Sequence, residues 1–232
     1  MSSNDVSVVL VHGAWADGTS WERVIGPLTS YGVKLAAAPL PLSSFGDDVA
    51  ALDRTLERMT GSVVLVGHAY AGAVIAATRQ EKVKALVYVA GLAPDEGETV
   101  AEVFERAPPH PQAPRLAPDA HGLIYLPENA FAAAFAPDAS ADEQRILAAV
   151  QRPIAGACIS VAVGRPLWRD RPTWFLIAER DRMIAHETQT FMAERMRARV
   201  RSHPVDHAPS VTAPSPVIEI IRQAIAETRM TG

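Results

Sequence analysis

Apolar residues occur along the chain in short runs of five to eight positions, and many of them are β-branched. Runs of this length without polar alternation are typical of strands buried on both faces of a sheet. Five such runs predict strands at 6–11, 33–38, 62–66, 83–90 and 173–178, and the more polar segment 200–205 is predicted as a sixth strand.

Between these runs, apolar residues recur every three or four positions, which predicts amphipathic helices. The helices are expected at 19–31, 45–59, 73–78, 186–198 and 215–228. Gly32 follows the first helix at the position where a helix C-terminal glycine is common. Strands that alternate with helices predict an α/β fold with a mostly parallel central sheet covered on both faces.

The alternation stops between residues 103 and 169, where proline and alanine are frequent. Helical patterns at 130–135 and 141–150 stand out there, and no run predicts a strand. We therefore expect a core formed by 1–102 and 170–232, with 103–169 inserted as a small helical lid, which we call the inserted segment.

Composition narrows the range of partners. The formal net charge of −4 and the pI near 6.0 favour neither nucleic acid nor an anionic membrane as a partner. The apolar runs are shorter than the roughly 18 residues of a membrane helix. The polar start Met1-Ser2-Ser3-Asn4 lacks the pattern of a signal peptide. With one cysteine, Cys158, expected as a buried thiol, a reducing cytoplasmic location is the expectation.

The turn Gly67-His68-Ala69-Tyr70-Ala71-Gly72 carries the main chemical signal. It has the form of a nucleophile elbow, G-x-S-x-G, in which small residues permit a tight turn from strand to helix. Ala69 stands where serine would attack a carbonyl, and a methyl group cannot do so. The alternative is an ordinary strand–glycine turn of a nucleotide-binding type of sheet.

Other residues that follow strands support the elbow interpretation. His12-Gly13-Ala14 ends the first strand, so the N–H groups of Ala14 and Tyr70 could bind an oxyanion. Asp181 follows the strand at 173–178, where the acid of a catalytic triad is expected. Glu179 and Asp95 are competing acids, and a surface carboxylate is the alternative for Asp181 itself.

His207 follows the last predicted strand, where the base of a triad belongs, with His203 as its rival and a surface loop histidine as the alternative. The chain order elbow, acid, histidine is that of α/β-hydrolases. The spacing of His203 and His207 fits some zinc helices, but Pro204 lies between them and no further Cys or His is near. We predict no metal, and without a phosphate-binding motif no cofactor.

With these residues placed, the chain resembles small bacterial α/β-hydrolases of the carboxylesterase group and, more distantly, plant methylesterases and hydroxynitrile lyases. The blocks that carry the resemblance are 9–15 with Trp21, 65–72, 86–91 with 94–97, and 206–208. Members of the group often have serine before the histidine, where this chain has Asp206.

The resemblance implies a role for each matched position. Residue 69 would be the nucleophile, His207 the general base and then acid, and Asp181 the residue that orients His207. The amides of Ala14 and Tyr70 would form the oxyanion hole.

A pocket is expected between the carboxyl edge of the sheet and the lid, a usual ligand site in open α/β sheets. His12, Trp15, Phe131 and Phe135 are expected to contact a small, fairly apolar ester or lactone. For the two phenylalanines, a place in the core of the lid is the alternative. The oligomeric state stays open, with a homodimer as one alternative.

Three interpretations of Ala69 follow. The chain is an engineered Ser→Ala variant of an active esterase, or a natural non-catalytic binding protein that uses the pocket. In the third, an enzyme of lyase or cofactor-free oxygenase type uses His207 and Asp181 without a serine.

Overall fold

A computed structural model describes residues 5–231, so the expectation for Met1–Asn4 lies outside the described residues. The strands are β1 (Val6–Val11), β2 (Lys34–Ala38), β3 (Ser62–His68), β4 (Val83–Val89), β5 (Leu123–Ile124), β6 (Ile154–Ala155), β7 (Thr173–Ala178) and β8 (Arg199–His203). Six of them form one sheet in the order β2-β1-β3-β4-β7-β8, and every pair in it is parallel.

The helices connect these strands and cover the sheet. They are α1 (Glu22–Ser30), α2 (Phe45–Glu57), α3 (Ala71–Ala77), α4 (Val100–Phe104), α5 (Glu128–Ala130), α6 (Ala141–Val150), α7 (His186–Arg195), α8 (Pro209–Thr212) and α9 (Pro214–Thr231). Short 3-10 helices lie at Gly18–Trp21, Gly156–Cys158 and Leu167–Arg169, and a π-helix at Phe131–Phe135.

Successive strand residues point to opposite faces, so the sheet has a separate apolar core on each side. On one face, Leu10, Val66 and Val87 pack with α1 and with the apolar side of α9. On the other face, Val11 and Leu65 pack with α2, α3 and the segment between β4 and β7. This arrangement confirms the predicted mostly parallel sheet flanked by helices.

Element ends differ from the predicted ends by a few residues. β3 continues through His68 because its pairing with β4 extends to His68 and Val89. β8 begins at Arg199 and ends at His203, two residues before the end of the predicted run. Hydrogen bonding to a neighbouring strand sets these limits, whereas a pattern of apolar residues marks only burial.

The inserted segment contains helix at 128–135 and 141–150, close to the two predicted helical patterns. It also contains β5 and β6, which pair antiparallel and which the sequence did not predict. Two-residue strands carry no readable periodicity, and their pairing depends on a contact across thirty residues. The boundaries at 103 and 169 remain a prediction. Among residues 5–231, no helix has the length and apolar character needed to span a membrane.

Candidate active site

The turn between β3 and α3 places Ala69 in the left-handed region, with a φ of +48°. Residues other than glycine rarely adopt this conformation, and it is maintained here by close packing. A Cβ atom on Gly72 would lie 2.5 Å from the carbonyl oxygen of Leu92, and one on Gly67 would lie 2.8 Å from that of Ala71. The small residues of the motif are therefore required by the approach of neighbouring backbone.

The loop after β1 packs directly against this turn. A Cβ atom on Gly13 would lie 3.0 Å from the carbonyl oxygen of His68 and 3.1 Å from the Cβ of Ala69, so a larger residue would crowd this approach. The N–H groups of Ala14 and Tyr70 donate to no other group among residues 5–231, and both residues line the same cavity. Two unpaired donors beside residue 69 form the arrangement that stabilises an oxyanion.

His207 and Asp181 form a buried pair, with 2.8 Å between Nδ1 and Oδ2. The N–H groups of Met183 and Ile184 donate to Oδ1 of Asp181 at 2.7 and 2.9 Å, and the Gln189 amide donates to Oδ2 at 2.9 Å. Because Nδ1–H of His207 is directed to the carboxylate, its Nε2 is left as the basic nitrogen. No sequence pattern points to Gln189, because its role depends on a contact made only in the folded chain.

The competing residues have other partners. Glu179 accepts a hydrogen bond from Ser202, and Asp95 forms an ion pair with Arg169. His203 is the last residue of β8. Among the residues that the structure describes, no three His, Cys, Asp or Glu side chains are arranged to hold a metal ion.

His68 is a further buried neighbour of the pair, and no sequence pattern predicted a role for it. Its Nε2 donates to the carbonyl oxygen of His207 at 2.7 Å, and the two rings lie 4.8 Å apart. Burial, together with the nearby His207, lowers the pKa of His68 to about 3, so the ring is neutral. The one sequence feature that could have pointed to His68 is its position directly before residue 69.

A second buried cluster holds the Tyr70 side of the turn. The Tyr70 hydroxyl donates to Oδ2 of Asp48 at 2.6 Å, and the N–H of Leu42 donates to Oδ1 at 2.7 Å. Burial raises the pKa of Asp48. Burial and the Asp48 carboxylate raise the pKa of the adjacent Cys158 thiol to about 12. Cys158 is therefore a protonated packing residue and not a nucleophile.

Asp206, which replaces the serine common in the similar group, connects the histidine loop to the inserted segment. Its Oδ2 accepts from the N–H of Asp138 at 3.0 Å, and its Oδ1 accepts from Ala208 and from the Thr212 hydroxyl. Burial raises the pKa of Asp206. The carboxylate fixes the backbone on both sides of His207.

A cavity of about 160 Å³ opens onto these groups. Ala14, Trp15, Ala69, Tyr70 and His207 line it together with a largely apolar wall. That wall is formed by Leu92, Val100, Ala101, Phe104, Glu105, Leu116, Ile124, Ile154, Ile159, Met183 and Ile184. The cavity therefore lies between the carboxyl ends of the strands and the inserted segment.

The structure does not bring three of the expected substrate contacts to this cavity. His12 is buried, with Nδ1 donating to the Gly13 carbonyl at 2.9 Å and Nε2 accepting from Leu40 at 3.0 Å. Phe131 and Phe135 are fully buried in the inserted segment, and the Phe135 ring packs outward from that segment against Trp15, His68 and His207, 5.2 Å from the ring of His207. The π-helix directs both phenylalanine rings into the protein interior, where they pack beneath the site and do not line the cavity.

Trp15 lines the cavity and anchors the loop that follows β1 and carries Ala14. It has a φ of +58°, its N–H donates to the carbonyl of Arg152 at 3.0 Å, and its indole N–H donates to that of Ile124 at 2.9 Å. Both acceptors belong to the inserted segment, which therefore fixes the loop that carries Ala14.

Solved structures with the same fold include several enzymes. Polyneuridine aldehyde esterase matches with a TM-score of 0.79 and 18% identity, covering 94% of this chain and 98% of that protein. A pyrethroid hydrolase from Sphingobium faniae JZ-2 gives 0.78 and 20%, covering 95% and 98%. A variant of tomato methylketone synthase I gives 0.83 and 18%, covering 97% and 99%. At these identities the likeness shows the fold.

No curated protein matches the chain significantly. A family model does: the model of the Alpha/beta hydrolase family matches residues 8–220. The match includes the elbow turn, Asp181 and His207, and it covers nearly the whole chain. The protein is a member of the alpha/beta hydrolase family.

Proposed function

We propose that this site belongs to a serine-type hydrolase of small, fairly apolar carboxylic esters or lactones. The observation that carries the proposal is the convergence of the buried His207–Asp181 pair and the free N–H groups of Ala14 and Tyr70 on one cavity beside residue 69. The esterase and hydrolase names among proteins of the same fold add support.

In a protein with serine at position 69, His207 Nε2 would take the hydroxyl proton while the oxygen attacks the ester carbonyl. The two amides would hold the oxyanion, and His207 would return the proton to the leaving alkoxide. Water would then hydrolyse the acyl-enzyme by the same steps. Ala69 has no oxygen to attack with, so this chain would bind the ester and turn it over slowly.

The test compares the chain as written with Ala69→Ser on short p-nitrophenyl esters. We expect the serine variant to hydrolyse them at least about a thousandfold faster, because a triad without its nucleophile retains only the binding and oxyanion contributions. Adding His207→Ala to the serine variant should remove that gain. A serine variant as inert as the parent, on esters that demonstrably bind, would contradict the proposal and favour a non-catalytic binding protein.

A second candidate is serine-independent proton transfer of lyase or oxygenase type. It is favoured by the intact pair and amides around a residue that cannot act as a nucleophile, and one protein of the same fold is named a synthase. His207 would remove a proton next to a carbonyl, and the amides would stabilise the enolate. Here the chain with Ala69 would itself exchange substrate protons for deuterium in D₂O, and His207→Ala would stop the exchange.

We further propose that the chain acts in the cytoplasm on a free small molecule, without a nucleic-acid or membrane partner. The net charge of −4 and the single buried cysteine support this proposal. Cell fractionation with an antibody to the chain would test the location.

A further inference from the structure

Among the described residues, Glu105 is the one acid that lines the largely apolar cavity. It directly follows α4 and is solvent-exposed, and it lines the cavity together with His207 as the two ionisable side chains other than the buried Tyr70 phenol. Its carboxylate forms no hydrogen bond or ion pair within residues 5–231. The Glu105 carboxylate is therefore available to interact with a ligand in the cavity.

The charged residues near Glu105 in the chain contact groups outside the cavity. Glu102 accepts hydrogen bonds from Thr99 in a capping box, and Glu98 forms an ion pair with Arg195. The Arg106 guanidinium lies over the Phe191 ring, 3.5 Å from its centroid. Of these charged side chains, only Glu105 lines the cavity.

The volume limits the size of the group that the cavity can take. An apolar protein cavity of about 150 Å³ binds benzene. The cavity here has about 160 Å³ and is lined by side chains such as Ile124, Ile154 and Met183. An apolar group of about six carbons fills this space.

We propose that Glu105 determines the charge of the substrate, so that the site accepts neutral or cationic molecules with an apolar group of about the size of benzene and rejects anionic ones. The inference rests on the proposed function for the ester part of the molecule. The carboxylate repels a negative group at the far end of the substrate and attracts a positive one, and both effects weaken as salt screens them.

The test uses three methyl benzoates that differ in the group para to the ester: hydroxymethyl, aminomethyl and carboxylate. Their affinities for the chain as written, with Ala69, are measured by calorimetry at neutral pH and low salt. We expect the hydroxymethyl and aminomethyl compounds to bind and the carboxylate to bind at least about tenfold more weakly. Glu105→Gln should reduce the ratio of cation to anion affinity by about three- to tenfold, and less at high salt.

Glu57→Gln is the matched control, because Glu57 is an exposed acid on α2 that does not line the cavity. A cation-to-anion ratio unchanged in Glu105→Gln, or changed equally in Glu57→Gln, would overturn the inference. So would failure of the hydroxymethyl compound to bind. The affinity measurements do not depend on turnover, so the two proposals can fail separately. If the affinity ratios are as predicted but the Ala69→Ser variant is inert, the charge selection is supported and the esterase proposal is contradicted.

Discussion

At the residue scale, the site is built from side chains whose ionisation is controlled by burial. His68 and His12 both have pKa values lowered by burial, and Asp48 and Asp206 both have pKa values raised by it. Each is compensated by hydrogen bonds from or to the backbone, which offset part of the cost of removing it from water. The result is a set of fixed supports around His207 and residue 69.

His68 should make the protein sensitive to acid. Its folded-state pKa of about 3 lies below the ordinary value of 6.5, so between these values the unfolded chain binds a proton that the native protein does not. The free energy of unfolding therefore falls as the pH is lowered through this window, by about 2 kcal/mol from His68 at a pH near 5. Above a pH of 6.5, the ordinary pKa of histidine, this loss of stability is absent.

The measurement is urea unfolding of the parent and of His68→Gln at about pH 7.5 and about pH 5. We expect the parent to lose more stability than the variant between these two pH values. At the higher pH the variant should be the less stable protein, because it loses the hydrogen bond from the His68 ring to the His207 carbonyl. His110→Gln, at an exposed histidine, should behave as the parent does. An equal acid loss in the parent and in His68→Gln would contradict the assignment.

At the element scale, the turn from β3 to α3 is the part of the fold that the site depends on most. Its conformation is set by main-chain contacts, including the hydrogen bond from the Leu92 N–H to the Ala69 carbonyl at 2.9 Å. Leu92 also lines the cavity, so the packing of the loop after β4 and the shape of the site are linked.

Gly72→Ala should destabilise the protein and weaken ligand binding in the cavity. The new Cβ would lie 2.5 Å from the Leu92 oxygen and 2.9 Å from Cδ1 of Tyr88, so α3 and the Leu92 loop must separate. We expect a loss of about 1–3 kcal/mol in the free energy of unfolding, measured by urea denaturation.

Gly46→Ala is the matched control for this substitution. Gly46 lies in α2, and a Cβ there would meet nothing within 4 Å. The same change should therefore leave binding intact and should not lower stability, because alanine is a better helix former than glycine. Equal effects of the two substitutions would show that the Leu92 contact is not the cause.

At the scale of the whole molecule, the two faces of the sheet have different tasks. The face covered by α1 and α9 is a packed core without site residues, whereas the other face carries the elbow helix α3 and the contacts to the inserted segment. The segment contacts the loops that carry Ala14, Asp181 and His207, through hydrogen bonds of Trp15, Arg182 and Asp206 respectively.

Ile221→Ala should separate stability from function. Ile221 is fully buried between α9 and the sheet, so truncation leaves a cavity and should lower the free energy of unfolding by about 2–5 kcal/mol. Binding of methyl 4-(hydroxymethyl)benzoate should stay within twofold of the parent, since the site lies on the other face. Ile146→Ala, at an exposed position on α6, should change stability by less than about 0.5 kcal/mol. A large loss of binding in folded Ile221→Ala would show that the two faces are coupled.

The sequence by itself determined the alternation of strands and helices, because apolar periodicity reflects burial that is local to each element. It also placed Ala69, Asp181 and His207 in loops that meet, since parallel strands end at one edge of the sheet. The alanine at position 69 was visible as a departure from the elbow motif because the small residues around it match that motif in the sequence.

The tertiary structure alone decided which side chains surround these residues. It paired Asp181 with His207 and Gln189, placed His68 against His207, and turned Phe131 and Phe135 inward while Glu105 came to line the cavity. Most of these contacts join residues far apart in the chain, and much of the wall comes from the irregular inserted segment. No local pattern encodes such neighbours, because they arise from the packing of whole elements against one another.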